Sequence, residues 1–265
     1  MSIRKSKEVA ALVVNLEQER STISLLKLLI LGVLGGMFLS FGALLYATVT
    51  TDIETNFNFG FAALIGGLVF SIGFILVMVS GTQLFVADFG IIAALEKKIP
   101  WANTAIRWLV VFGGNILGTI LISIIYYNSG LYELSGDAVG GTIIDLADDM
   151  CELVWLTSLT RGVLAGIMLG LGVWMYHSAE TTGGKVLSCI LPTTTIMACG
   201  FEYSITNIFI IPLGITLHDL GVGGASSSLE LVTGIVNNIV FVSIGNLIGA
   251  IIILGVLYWY VFKRN

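Results

Sequence analysis

The sequence predicts an all-α membrane protein in which six transmembrane helices form an inverted three-plus-three repeat, with the second and fifth helices broken. Three observations lead there. The 265-residue chain is 56% hydrophobic and only 11% charged, with a mean hydropathy of +0.98, whereas soluble domains carry about 25% charged residues. Its basic residues are confined to alternate loops, and Gly-rich motifs of the first half recur in the second. So little charge cannot cover a water-facing surface of this size, which excludes a soluble enzyme, a nucleic-acid binder and a disordered scaffold.

A helix needs about 20 apolar residues to cross the hydrocarbon core. Apolar runs occupy Leu26–Thr48, Phe59–Ser80, Ala105–Tyr127, Leu156–Tyr176, Val186–Gly200 and Ile235–Phe262. Short apolar pieces, Gly90–Leu95 and Ile208–Ile215, follow the second and fifth runs. Ahead of the first, residues 1–25 read as a cytoplasmic amphipathic segment, because Val9, Leu12, Val13 and Leu16 recur at helical spacing among charges. That segment serves either as a surface anchor or as a gate. Residues 26–265 form the six-helix transmembrane domain. No cleavable leader is expected, since the polar Met1–Glu19 stretch precedes a long, unpunctuated apolar run.

Eleven of the twelve Lys and Arg lie in four places. These are the N-terminus (Arg4, Lys5, Lys7, Arg20, Lys27), the second-to-third loop (Lys97, Lys98, Arg107), the fourth-to-fifth loop (Lys185) and the C-terminus (Lys263, Arg264). The other loops carry Asp52, Glu54, Glu133, Asp137, Asp145, Asp148, Asp149, Glu152, Asp219 and Glu230. By the positive-inside rule both termini are cytoplasmic, in a multi-pass protein of the plasma or inner membrane. The cysteines, Cys151, Cys189 and Cys199, have no metal-ligand spacing and read as packing residues. The 32 glycines suit close helix approach.

Gly32-Val33-Leu34-Gly35-Gly36 resembles Gly162-Val163-Leu164-Ala165-Gly166, 130 positions on, and Gly114-Asn115-Ile116-Leu117-Gly118 resembles Gly245-Asn246-Leu247-Ile248-Gly249, 131 positions on. Two matches at nearly one offset indicate duplication, and a three-span unit must re-enter the membrane from the opposite side. Spans two and five then correspond. Each is interrupted by a polar cluster, Ser80 to Asp88 in one and Gly200 to Asn207 in the other. Three charges fall at membrane depth, Asp88, Arg161 and Glu202, where a charge marks a pathway or a buried pair. Asn115 and Asn246 read as interhelical hydrogen-bonding groups.

These residues carry a family resemblance. Gly200-Phe201-Glu202-Tyr203-Ser204-Ile205-Thr206-Asn207, followed by Ile211-Pro212-Leu213-Gly214-Ile215, resembles the G-F-E-H-S-I-A-N and I-P-x-G-I runs of the formate/nitrite transporter family. Gln83-Leu84-Phe85 resembles its E-L-F-T segment, Lys98-Ile99-Pro100-Trp101 and the stretch from Trp108 to Gly118 its third span, Arg161-Gly162-Val163-Leu164 its fourth, and Asn237-Asn238 through Tyr260 its sixth. The resemblance implies an aquaporin-like fold, a homopentamer with one pore per subunit, and passage of small monovalent anions such as formate, nitrite or hydrosulfide. It also implies a working set: a midpoint His, a Thr on the span-two loop, an outer Lys, and apolar constrictions.

Here the His position holds Tyr203, the Thr position Val86 and, by ungapped alignment from Arg161, the Lys position Met150. Gly166 stands where an Asn is usual, and Gln83 where a Glu is. The constrictions carry over as Phe70, Phe74, Leu84, Phe85 and Ile196, and Glu202 and Asn207 carry over at the midpoint. Tyr203 either donates a hydrogen bond to the solute or packs as an aromatic plug. Unlike a His, it holds its proton at neutral pH. Asp149 and its acidic neighbours at the outer mouth either face the pore and repel anions or form a solvated loop. Asp88 either caps the following half-helix or meets the solute, and Glu202 pairs with Arg161 or accepts backbone N–H groups.

The function expected is a channel for small monovalent anions or their conjugate acids, with a neutral-solute or cation pore as the alternative. Its partners are the solute, the bilayer and four further copies of the chain, with no nucleic acid. No cofactor, metal or enzymatic motif is expected.

Overall fold

The computed structural model describes residues 3–53, 57–222 and 231–263. Glu54, Glu230 and Arg264, used above in the charge sorting, lie outside the described residues. The chain runs through α1 (Ser6–Ser21), α2 (Leu25–Thr50), α3 (Phe59–Ser80), α4 (Gly90–Leu95), α5 (Trp101–Ser129), α6 (Ala138–Cys151), α7 (Trp155–Ser178), α8 (Thr182–Ala198), α9 (Ser204–Asp219) and a last helix, α10 (Gly234–Phe262). Among the described residues five helices, α2, α3, α5, α7 and α10, are long and apolar enough to cross a membrane. The broken pair α8–α9 accounts for the remaining apolar run. Ile208–Ile215 belongs to a 16-residue helix rather than a short piece, and the acidic stretch before α7 is largely helical rather than an open loop.

The element ends follow local chemistry. The Asn58 side chain accepts from the Phe61 N–H at 3.0 Å and opens α3. Thr181 accepts from the Gly184 N–H at 3.1 Å and opens α8. Both breaks begin at a glycine in the left-handed region, Gly81 (φ 76°) after α3 and Gly200 (φ 67°) after α8, where a side chain would be strained. Helix α10 is wound as π-helix over Gly234–Val240, which carries Asn238, and over Ile248–Val256, with Asn246 in the α-helical stretch between them.

The two halves repeat each other's contacts. A Cβ on Gly32 would lie 2.8 Å from the Val111 carbonyl oxygen, and one on Gly162 would lie 2.8 Å from that of Val242. Hence α2 meets α5, and α7 meets α10, at backbone distance. This proximity lets one amide on each partner helix reach a break. Asn115 Nδ2 donates to the Gly32 and Gln83 carbonyls at 2.8 Å each, and its Oδ1 accepts from the Phe85 N–H at 3.2 Å. Asn246 Nδ2 donates to the Gly162 carbonyl at 2.8 Å and the Glu202 carbonyl at 2.9 Å, and its Oδ1 accepts from the Ser204 N–H at 3.0 Å. By these bonds Gln83 corresponds to Glu202, Leu84 to Tyr203 and Phe85 to Ser204.

The basic segments converge on one face. Arg4 donates to the His177 carbonyl at 2.8 Å, at the end of α7. Arg107 donates to the Arg20 carbonyl. Trp259 Nε1 donates to Glu96 at 2.6 Å, beside Lys263. Both termini therefore share a face. Helix α1 buries Val9, Ala10, Val13, Val14 and Glu17 against α4, α7 and the end of α10, while Leu12 and Leu16 are only partly covered. Its apolar stripe thus meets protein: Val9 and Val13 of the stripe read in sequence are buried, with Ala10, Val14 and Glu17 in place of Leu12 and Leu16. Cys151 and Cys189 are buried as expected, but Cys199 is exposed beside the α8–α9 break, a correction to its reading as a packing residue.

Replacing Asn246 with Ala strands the Ser204 N–H and the Glu202 carbonyl in an apolar interior, at about 1–3 kcal/mol for each buried unsatisfied group. Asn246→Ala is expected to lose about 2–5 kcal/mol in reversible unfolding from detergent micelles. Asn128→Ala, which removes an exposed bond to the Ile124 carbonyl, should stay within about 0.5 kcal/mol of the parent.

Candidate functional site

On the face away from the termini a cavity of about 580 Å³ opens between the ends of α2, α3, α6, α7 and α8. Asp145, Asp149, Met150 and Arg161 stand on its walls, and Glu202, Tyr203, Thr206 and Asn207 form its inner end. The acidic stretch therefore does face the cavity, through Asp145 and Asp149. Burial pushes the Asp149 carboxyl above its usual range, helped by Glu152, Asp145 and Asp148 and opposed by Arg161.

The inner end is built from the α8–α9 break. The Asn246 bonds hold the backbone on either side of Tyr203, which fixes where its ring points. The ring is 2% exposed, and its hydroxyl has no hydrogen-bond partner among the described residues. Glu202 is held from three sides. Asn207 Nδ2 donates to its Oε2 at 2.6 Å, Asn238 Nδ2 approaches the same oxygen at 3.4 Å, and Arg161 Nη1 lies 3.9 Å from its Oε1. Asn207 also donates to Asn238 Oδ1 at 2.6 Å, and Asn238 to the Met150 carbonyl at 2.9 Å. The network ties α6, α7, α9 and α10 together around one carboxylate.

From the expected site the cavity gathers Tyr203, Glu202, Asn207, Met150 and Asp149, with Arg161 and Asp145 beside them. The others lie off its walls. Phe70, Phe74, Leu84, Phe85, Val86 and Ile196 are 2% exposed or less and sit in the packed core. Phe85 packs on Phe112 of α5, with ring centroids 4.5 Å apart. Gln83 is buried at the first break, its backbone N–H bonded to the Leu31 carbonyl at 3.1 Å. Asp88 Oδ1 accepts from the Gly90 N–H at 2.7 Å, at the start of α4.

Asp88 belongs to a second cluster, on the termini face. Glu17 of α1 is 2% exposed, with Arg20 Nη1 at 2.7 Å from its Oε1 and Asp88 beside it. Sequence reasoning missed Glu17, Arg20 and Arg107 there. Glu17 falls four residues after Val13, a carboxyl in register with the apolar stripe, which was the available signal. Arg107 was counted with a loop and is instead a buried residue of α5. Thr206 was also missed. It stands where the run G-F-E-H-S-I-A-N has Ala.

Two halves with recurring contacts, each with a helix broken inside an apolar interior, are an arrangement that membrane transport proteins use. The family model described as formate/nitrite transporter matches residues 7–260, and the chain belongs to that family. It is 34% identical over 251 residues to the formate channel FocA of Escherichia coli K12, covering 91% of this chain and 88% of that protein. The uncharacterized transporter YrhG of Bacillus subtilis is 27% identical over 268 residues, covering 100% and 96%. Among solved structures, a pentameric formate channel with formate bound superposes with a TM-score of 0.82 at 28% identity, covering 91% of this chain and 98% of that one. The family's members are channels and transporters rather than enzymes.

Burial raises the Glu17 carboxyl from 4.5 to about 8; Asp88 adds to the rise, and Arg20 opposes it. An acid whose pKa is higher in the docked state favours docking while protonated. Docking of α1 is thus strongest below about pH 4.5 and weakens progressively as pH rises toward 8. Protease protection of α1 should fall over that window in the parent, and Glu17→Gln should flatten the dependence.

Proposed function

We infer that the chain is a passive channel, one pore in each subunit of a homopentamer, carrying small monovalent anions and their conjugate weak acids of the formate, nitrite and hydrosulfide class. The termini face is the cytoplasmic one, on the support of its basic segments. The observation that carries the reading is Tyr203, a buried hydroxyl without a partner among the described residues, at the foot of an open cavity and at the centre of the α8–α9 break. Moving a bare ion past the apolar layer of Phe70, Phe74, Leu84 and Ile196 is unfavourable without partners, and the conjugate acid crosses at far lower cost. Tyr203 offers the solute a hydrogen bond and retains its own proton at neutral pH. Arg161 supplies positive charge at the cavity wall, where Met150 stands at the position assigned to the outer Lys. The formate channels among the relatives weigh toward anions and weak acids, and against a neutral-solute or cation pore.

The test is formate flux into proteoliposomes from pH 5 to 8. The rate should follow the fraction of formic acid, with no further inflection near the His range. Tyr203→His should add an inflection at about pH 6–7, and Tyr203→Phe should slow flux severalfold. Silence of an intact pentamer toward formate, nitrite and hydrosulfide would sink the reading, and urea or ammonia flux without anion flux would favour the neutral pore.

A further inference from the structure

Thr206 brings a second hydroxyl to the inner end of the cavity. It lies in the first turn of α9, three residues after Tyr203, the extended residue that precedes the helix. Both line the same cavity. Thr206 is 5% exposed, and its Oγ1, like the Tyr203 hydroxyl, has no partner among the described residues. Several threonines within this protein's helices return their hydroxyls to the carbonyl four residues back, as Thr48, Thr160, Thr195 and Thr216 do. For Thr206 that carbonyl belongs to Glu202, which precedes the helix, and the bond is not formed. Burial of a hydroxyl without a partner is unfavourable, and these two differ from the other buried hydroxyls without a partner among the described residues, such as Ser158 and Ser243, in lining the cavity, where a ligand can complete them.

We propose that Tyr203 and Thr206 form a two-hydroxyl subsite that favours solutes with two acceptor oxygens, a small carboxylate or nitrite, over hydrosulfide, and that Thr206 sets this preference. Two donors at the inner end of one cavity match the two oxygens of such a solute, whereas hydrosulfide presents a single weakly accepting sulfur. The first turn of α9 adds positive potential. Arg161, its side chain 43% exposed and only 3.9 Å from Glu202, adds a cation at the same cavity. The hydroxyl that the family resemblance puts on the span-two loop, where this chain has Val86, is thus supplied from the other break, on the outer side.

This rests on the channel reading, and the experiment separates the two. Formate and hydrosulfide flux are measured in proteoliposomes holding the parent pentamer or the Thr206→Val, Thr206→Ala and Thr206→Ser variants. Val keeps the shape, Ala removes atoms without adding a contact, and Ser keeps the hydroxyl. Val and Ala are expected to raise the half-saturating formate concentration about threefold to tenfold. They should also shift the formate-to-hydrosulfide ratio toward hydrosulfide by a similar factor, with Ser within about twofold of the parent. The subsite is overturned if the parent carries formate and Val and Ala leave the ratio unchanged, if both fluxes fall in proportion, or if Ser behaves like Val. If the parent carries neither solute, the channel reading falls and the subsite with it. Should Val fail to assemble, Ala decides.

Discussion

Everything at the centre of the molecule depends on two asparagine side chains. A helix broken inside an apolar interior exposes backbone N–H and C=O groups that lipid cannot satisfy. Asn115 and Asn246 meet this demand in the same way, each bonding a carbonyl before the break, an N–H after it and the carbonyl of a glycine on a neighbouring helix. The reach is possible because Gly32 and Gly162 let that neighbour approach at backbone distance. Without the asparagines neither break is a defined structure, and the residue at its centre has no fixed direction.

The same frame holds different contents in the two halves. Leu84 occupies the centre of one break and Tyr203 that of the other, so one half places an apolar side chain there and the other a hydroxyl. The surroundings diverge as well. Around the second break Glu202, Asn207 and Asn238 form a bonded network that leaves Arg161 partly open to the cavity. Near the first, Asp88 meets Glu17 and Arg20 of α1, a helix that precedes both repeats. The two halves thus share a scaffold and differ in chemistry at equivalent positions.

Much of this was legible in the chain itself. The repeat could be seen because the residues that hold it, Gly32 with Asn115 and Gly162 with Asn246, are constrained by backbone approach, and such constraints survive as short motifs. Tyr203, Glu202 and Asn207 were legible because polar groups inside an apolar run need a reason to be there. The helical form of Ala138–Cys151 was harder to see, because its acidic residues suggested open solvent while its other face, Val139, Ile143 and Ala147, is buried. Helix α1 was placed against lipid because its stripe of valines and leucines does not name its partner. Thr206 stayed hidden because a threonine in a helix is ordinarily satisfied by its own backbone, and only the exact start of α9, at Ser204, puts the Glu202 carbonyl outside the helix.

The seat of α1 has a consequence for how the chain is made. Its burial surface includes α4, the end of α7 and the last turns of α10, segments that lie on both sides of the two repeats in the chain. Domains usually settle from the N-terminus onward, yet the seat of this helix is complete only once α10 is in place. Until then Val9, Val13 and the Glu17 carboxyl stay in water or at the bilayer surface. Placement of α10 therefore comes before closure of α1 over the repeats.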